Sequence, residues 1–334
     1  MLLKIFRAAS STALVFLFAL TIALAEFLYS PLRIPPGMSY FEVEKGSHIQ
    51  NLALEFERRG FISSAILFRL SYSLFLTGQT VKAGEYEFPS SITVKESLFT
   101  MFKGKIRLVS VTTPEGLTGR EIQKLLESDY QFQANGFSAA FLKADLVSEL
   151  DTSAEDLEGY LFPETYLLPR KADGFELVSA MTGQFLKAFD ASLRARAREL
   201  RMSVREAVTL ASLIEKETGC EEERPLVSAV FHNRLRLGMK LDCDPTVIYA
   251  LERAGRYRGS LFLKDLSFPS PYNTYLNPGL PPGPICNPGL SSIRAALYPA
   301  ADDYLYFVSR GDGTHQFSST YADHLAAIRK YRLK

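Results

Sequence analysis

The chain has no tryptophan, only three cysteines and four histidines, and almost no excess of either charge. Three cysteines are too few for a disulfide framework, and an odd count leaves at least one unpaired within a monomer. Lys and Arg number 38 against 37 Asp and Glu, a formal net charge of +1. That balance offers no field for a phosphate backbone, so nucleic acid is not an expected partner. His232, His315 and His324 are scattered and give no zinc-ligand spacing. A glycine-rich phosphate loop and a nucleophile elbow are both missing. Hydrophobic residues make up 47% of the 334 positions. That excludes wholesale disorder, and collagen-like and multi-span membrane classes are excluded as well. The length suggests two domains, and the 16 Tyr and 24 Phe supply all the large aromatic surface.

One long apolar run is present, at the N-terminus. Lys4 and Arg7 precede an uncharged stretch from Ala8 to Ala25. As a helix it rises about 27 Å, close to a hydrocarbon core of roughly 30 Å. The expected topology is a cytoplasmic segment 1–7, a transmembrane anchor 8–29 and everything beyond it outside the inner membrane, because basic residues stay inside. A cleavable signal peptide ending at Ala23-Leu24-Ala25 is the rival reading. A Pro-rich spacer follows at 30–38.

The remainder reads as α+β. Residues 41–44 alternate like a short strand, Ser47 can cap a helix ending at Gly60, and a second apolar helix covers 64–76. A helix near 93–103 stops at Gly104, a strand lies in 106–113, and a helix follows in 117–127. The pieces AGEYEFP (83–89) and EGYLFPE (158–164) suggest an internal duplication of strand, helix, helix, short strand. Helices are then expected over 175–200, from a capping box at Ser203 and Glu206, and over 222–238. On the last of these Arg224, Arg234 and Arg236 take polar positions. Residues 267–290 are rich in Pro and Gly yet carry Leu280, Ile285 and Leu290, which argues against a linker. The tail reads as a hairpin, 304–308 with 314–318, and a final helix opened by Thr320 and Asp323.

The helix from Ser203 holds the most suggestive chemistry. Ala207, Val208, Ala211 and Ile214 mark its apolar face, and Glu215 falls on that face at about 100° per residue. Glu217 is rotated by about 200° and points away. Burial and the negative helix end both raise the pKa of such a carboxyl, as a general acid near neutral pH requires. The alternative is a glutamate salt-bridged to Arg234 or Lys216. Glu158 and Glu164 flank a Tyr/Phe cluster, where hydrogen bonding to the turn explains them equally well. Asp242 and Asp244 look like a metal pair, but Pro245 suits a helix start instead.

LEGYLFPETY (157–166), ASLIEKET (211–218), VFHNRLRLGMKLDCDPTVIYAL (230–251), PYNTYLNPGLPPGPICNPG (271–289) and the tail YLYFV with HQFS resemble the YceG-like family of endolytic murein transglycosylases. The resemblance covers essentially the whole chain. It implies a membrane anchor, a LysM-like module at 39–107 and a mixed α+β catalytic domain at 108–334. It further implies cleavage of the β-1,4 bond between N-acetylmuramic acid and N-acetylglucosamine in nascent peptidoglycan, leaving 1,6-anhydro ends, with no cofactor and no metal. Peptidoglycan synthases are the partners it suggests. The family's catalytic glutamate matches the first Glu of EKET, Glu215, which leaves Glu217 dispensable. Tyr272, Asn273, Tyr275 and Asn287 are expected to line the glycan groove, with Tyr as the stacking face in place of Trp. Glu164 and Asp244 are expected to support the site. Cys220 and Cys243 could pair outside the cytoplasm. A non-catalytic glycan-binding scaffold stays open as an alternative. A cytoplasmic pyridoxal-phosphate lyase is disfavoured by the export segment.

Overall fold

A computed structural model describes residues 2–34, 40–76, 78–89, 91–128 and 135–332. Part of the Pro-rich spacer, 35–38, lies outside them. The chain divides into two compact units, Met1–Val109 with Pro169–Lys171, and Ser110–Leu168 with Ala172–Lys334.

The first unit opens with α1 (Leu2–Tyr29). Its stretch Ser11–Tyr29 has a mean hydropathy of 2.1 and is long and apolar enough to cross a membrane. Leu14 to Phe18 and Ile22 stand exposed, whereas Leu24, Phe27 and Leu28 are buried in the unit's core. Next come β1 (Tyr40–Val43), α2 (Ile49–Arg58), α3 (Ala65–Phe75), β2 (Gly84–Glu87) and α4 (Val94–Lys103). β1 and β2 pair antiparallel, with Phe41 opposite Tyr86. Ser64 caps α3, and Thr93 with Glu96 forms a capping box on α4. The expected Ser47 cap is not made: His48 is the N-cap of α2, with no side-chain bond. The alternation of β1 and the helical stripes of α2 and α3 converge on one aromatic cluster. Phe56 is at its centre, with ring centroids 4.2 Å from Phe41, 5.3 Å from Phe61 and 5.4 Å from Phe68.

β3 (Leu108–Thr112) leads into the second unit, followed by α5 (Gly119–Glu127), α6 (Phe137–Phe141) and β4 (Thr165–Pro169), which pairs with β3. Strand, helix, helix, strand thus recurs, although Tyr86 lies in β2 whereas Tyr160 precedes β4. The single helix expected over 175–200 is two, α7 (Gly174–Ala188) and α8 (Ala191–Glu199). Asp190 breaks it by turning its carboxylate onto the N–H groups of Ser192 and Leu193, as an N-cap does. Then come α9 (Val204–Glu217), α10 (Arg224–Arg236), α11 (Asp244–Arg253), α12 (Leu290–Leu297), β5 (Tyr306–Ser309), β6 (His315–Ser318) and α13 (Tyr321–Arg332). α12 was not expected, because the loop before it hid its start. β5 and β6 form the tail hairpin, Ser309 opposite His315.

α9 is the axis of this unit. It lies along α12 and also touches α8, α10 and α11. Every residue from Ala207 to Ile214 is buried, so the helix has no solvent face there.

Phe56→Ala should destabilise the first unit by about 3–5 kcal/mol, because four packed rings lose their common neighbour. Urea denaturation followed by circular dichroism measures it, and an unchanged midpoint would refute the packing.

Candidate active site

The site is built from the C-terminal end of α9, where two glutamates follow the buried stretch Ala207–Ile214 and leave the helix on opposite sides. Glu215 meets two donors. Arg224 Nη2 lies 3.3 Å from its Oε1, and the Gly289 N–H lies 2.9 Å from its Oε2. Gly289 is the N-cap residue of α12, so the carboxylate occupies a helix N-terminus, where N–H groups and the dipole favour an anion. The side chain is only 7% exposed. Arg224 also reaches Glu115 Oε2 at 3.7 Å. Burial and the nearby Glu215 push the Glu115 carboxyl up, with Arg224 opposing them. A Cβ on Gly289 would fall 1.9 Å from a Glu115 oxygen, so only glycine allows this approach.

Arg224 therefore does not take the polar position expected of it; it is buried between α9 and the 115 turn. Neither Arg234 nor Lys216 partners Glu215: Lys216 donates to the Gly116 carbonyl, and Arg234 bonds to Leu305, Leu241 and Asp242.

Glu217 points away from Glu215, as expected, but into the protein rather than to open solvent. It lines a cavity of about 310 Å³ with Arg234, Asp242, Asp244, Tyr275, Tyr306, Tyr321 and His324. Burial is the main cause that raises its pKa; the charge of Asp244 adds to this, and a hydrogen bond from Cys243 opposes it. The helical-wheel argument assumed one buried face, but α9 is enclosed all round, so a rotation of about 200° leads from one interior environment to another.

The cavity wall comes from three directions. Asp244 starts α11, ahead of Pro245, and accepts the Tyr275 hydroxyl at 2.6 Å. Arg234, in the last turn of α10, donates to the Leu305 carbonyl at 2.7 Å and covers the Tyr306 ring at 5.3 Å. His324 of α13 stacks on the same ring, centroids 5.0 Å apart. The sequence reading missed Tyr306, Tyr321 and His324; an aromatic spacing of 321 to 324 beside a strand tyrosine was the signal.

The other expected site residues separate. Tyr275 and Asp244 stand with Glu217. Tyr272 lies elsewhere, against Tyr249 at 5.0 Å and under Arg253 at 5.4 Å. Asn273 and Asn287 are corrected: both are buried and their amides are spent within the protein. Asn273 donates to the Leu266 and Phe268 carbonyls and accepts the Tyr275 N–H. Asn287 accepts from Gly159 and Leu161 and donates to Leu117 and Glu158. They shape the loop rather than line a groove. Glu164 is exposed, and its carboxylate accepts the N–H of Thr165. The three cysteines are free thiols, so Cys220 and Cys243 do not pair. Among the described residues no group of three or more His, Cys, Asp or Glu is placed to hold a metal.

Glu158 is a buried carboxyl outside that cavity. It accepts from the Gly119 N–H at 3.0 Å and the Asn287 amide at 3.1 Å, and Tyr249 lies 3.4 Å away. Burial pushes its pKa up to about 8. Gly159 beside it has φ +87°, and a Cβ there would meet Pro284 at 2.5 Å and Val208 at 2.9 Å. The LEGY turn, the 284 loop and α9 cross at this point.

Two predictions follow from these carboxyls. Arg224→Met should cost about 3–5 kcal/mol, since a buried Glu215 loses its cation, and Glu215→Gln should recover part of that loss in the double variant. Strict additivity in denaturation would contradict the pairing. The folded state keeps a proton on Glu158 that the unfolded chain releases above its ordinary value of 4.5. This contribution is full below 4.5 and drains away as pH rises to about 8. Glu158→Gln should flatten the fall in stability between those limits, measured by denaturation at several pH values; an unaltered slope would contradict it.

The family model described as "YceG-like family" matches residues 41–330. The endolytic murein transglycosylase of Bacillus subtilis is 31% identical, over 86% of this chain and 83% of that protein. That of Streptococcus pneumoniae is 28% identical over 84% of this chain, and the match spans 56% of the streptococcal protein. A crystal structure of a YceG-like protein of Listeria monocytogenes is similar at a TM-score of 0.57 and 32% identity, covering 86% of this chain and 97% of that one. With a match across most of its length, the chain belongs to the YceG-like family.

Proposed function

We propose that this protein cleaves peptidoglycan glycan strands by lytic transglycosylation, as its relatives' names state for them, and that Glu217 rather than Glu215 handles the proton. The observation that carries the assignment is the Glu217 carboxyl in the wall of an aromatic and polar cavity, with its pKa raised by burial and by Asp244. Glu215 is held by Arg224 and by the N-terminus of α12, an anchoring role.

The chemistry needs one carboxyl. A hydrolase uses two, one as acid and one as base or nucleophile. Here the sugar's own 6-hydroxyl is the nucleophile. Glu217 protonates the departing glycosidic oxygen between N-acetylmuramic acid and N-acetylglucosamine. It then takes the proton from the 6-hydroxyl as the 1,6-anhydro ring closes, and the intramolecular attack gains from proximity. Tyr275, oriented by Asp244, presents a ring and a hydroxyl to the sugar.

The apolar α1 supports a single-pass inner-membrane anchor with the rest of the chain outside. The strand–helix–helix–strand order of β1, α2, α3 and β2 supports a LysM-like glycan-binding module at 39–107. Peptidoglycan synthases are the proposed partners.

Mass analysis of fragments from purified glycan strands is the test. Glu217→Gln should lower anhydro-ended products by at least about 10²-fold while the circular dichroism spectrum is kept. Glu215→Gln should lose stability more than turnover per folded molecule. A folded, inactive Glu215→Gln beside an active Glu217→Gln would restore the first glutamate as the acid.

A further inference from the structure

The apolar face beside α1 has a calculable depth. The helix carries no charge from Ala8 to Ala25, a rise of about 27 Å, so a hydrocarbon core of roughly 30 Å uses all of it. Glu26 is exposed and marks where the helix leaves hydrocarbon. Yet the helix is not free of protein down to that point. A cavity of about 310 Å³ begins at Thr21 and Leu24 of α1 and is walled by Ser71, Phe75 and Leu76 at the end of α3 and by Leu98 and Phe99 of α4. The last turn of α1 is in the core, with Leu24, Phe27 and Leu28 buried. Of the described span, Ser11 to Leu20, about 15 Å, lies ahead of this groove.

Resting on the reading of α1 as a membrane span, we propose that the C-terminal turn of α3, Leu74 and Phe75, is immersed in the bilayer together with Thr21–Ala25. Two observations carry this. The groove runs along α1 from Thr21 to Tyr29 with Phe75 in its wall, and a span shorter than the hydrocarbon core draws its flanking structure inward. Leu74 and Phe75 are also 59% and 56% exposed, large apolar side chains that a water-facing helix end has no use for. The level is fixed from the other side by Tyr29 and Lys95: the ammonium donates to the phenol at 3.1 Å and lies 4.9 Å from the ring centre. Such a pair suits the headgroup layer, apolar body inward and polar tip outward. The partner is thus lipid, and the first unit sits on the bilayer without a stalk.

The absence of tryptophan makes the test clean, since one introduced indole is the only one in the chain. Phe75→Trp is placed in the full-length protein and reconstituted into phosphatidylcholine–phosphatidylglycerol vesicles brominated on the acyl chains. Its emission should shift to the blue, be quenched by the bromine and resist aqueous iodide. Phe16→Trp, in mid-span, is the reference. Quenching by iodide at position 75, with Phe16→Trp quenched by bromine, would overturn the immersion alone. Shielding from both quenchers would overturn it in favour of a protein occupant such as a second copy. Loss of bromine quenching at position 16 as well would overturn the anchor and the immersion together.

Discussion

The carboxylate of Glu215 fastens three helices at one point. It ends α9, binds the guanidinium that begins α10 and caps the N-terminus of α12. Removing a buried charge's partner is far more damaging than the pair's net worth, so this knot is strongly specified once formed. Its position sets the C-terminal end of α9, and with it the place where Glu217 emerges two residues on. The rest of the cavity is hung from neighbouring turns: Asp244 from the start of α11, Arg234 from the end of α10, Tyr306 from the hairpin that Arg234 and Asn233 hold through backbone carbonyls.

In the proposed reading the two glutamates of one short motif divide the labour of anchoring and chemistry. A helix that is buried all round can send adjacent turns into different surroundings. One side offers a cation and helix N–H groups; the other offers an aromatic wall and a second carboxylate, Asp244. On that second side burial and the charge of Asp244 raise the pKa of Glu217, against a hydrogen bond from Cys243. The conflict with the helical-wheel assignment comes from treating the unseen face as solvent.

Much of the fold was legible from local signals. The capping boxes at Thr320 and Ser203, the stops at Gly60 and Gly104 and the tail hairpin are decided by neighbours within four residues, and they stand as read. Some local signals failed: the Ser47 cap is not made, and Asp190, by capping Ser192 and Leu193, breaks a helix that periodicity had joined. The other failures were long-range. Arg224 was placed on a polar face because its partners Glu115 and Glu215 lie on other elements. Asn273 and Asn287 looked like ligand-binding amides in a Pro-rich loop, yet a loop this irregular leaves many carbonyls and N–H groups unpaired, and buried amides satisfy them. Tyr275 and Asp244, by contrast, bond each other in the cavity wall rather than within a turn. The family resemblance supplied the reaction; the different surroundings of the two glutamates are visible only in the packing.

The central claim is that Glu217 holds its proton to a higher pH than an ordinary glutamate. Carbon-13 titration of the glutamate carboxyl carbons, with the Glu217 signal assigned by its loss in Glu217→Gln, measures this in the folded protein. The account predicts a midpoint above the ordinary 4.5 that falls when Asp244 is changed to Asn. A Glu217 midpoint at or below the ordinary value would contradict it.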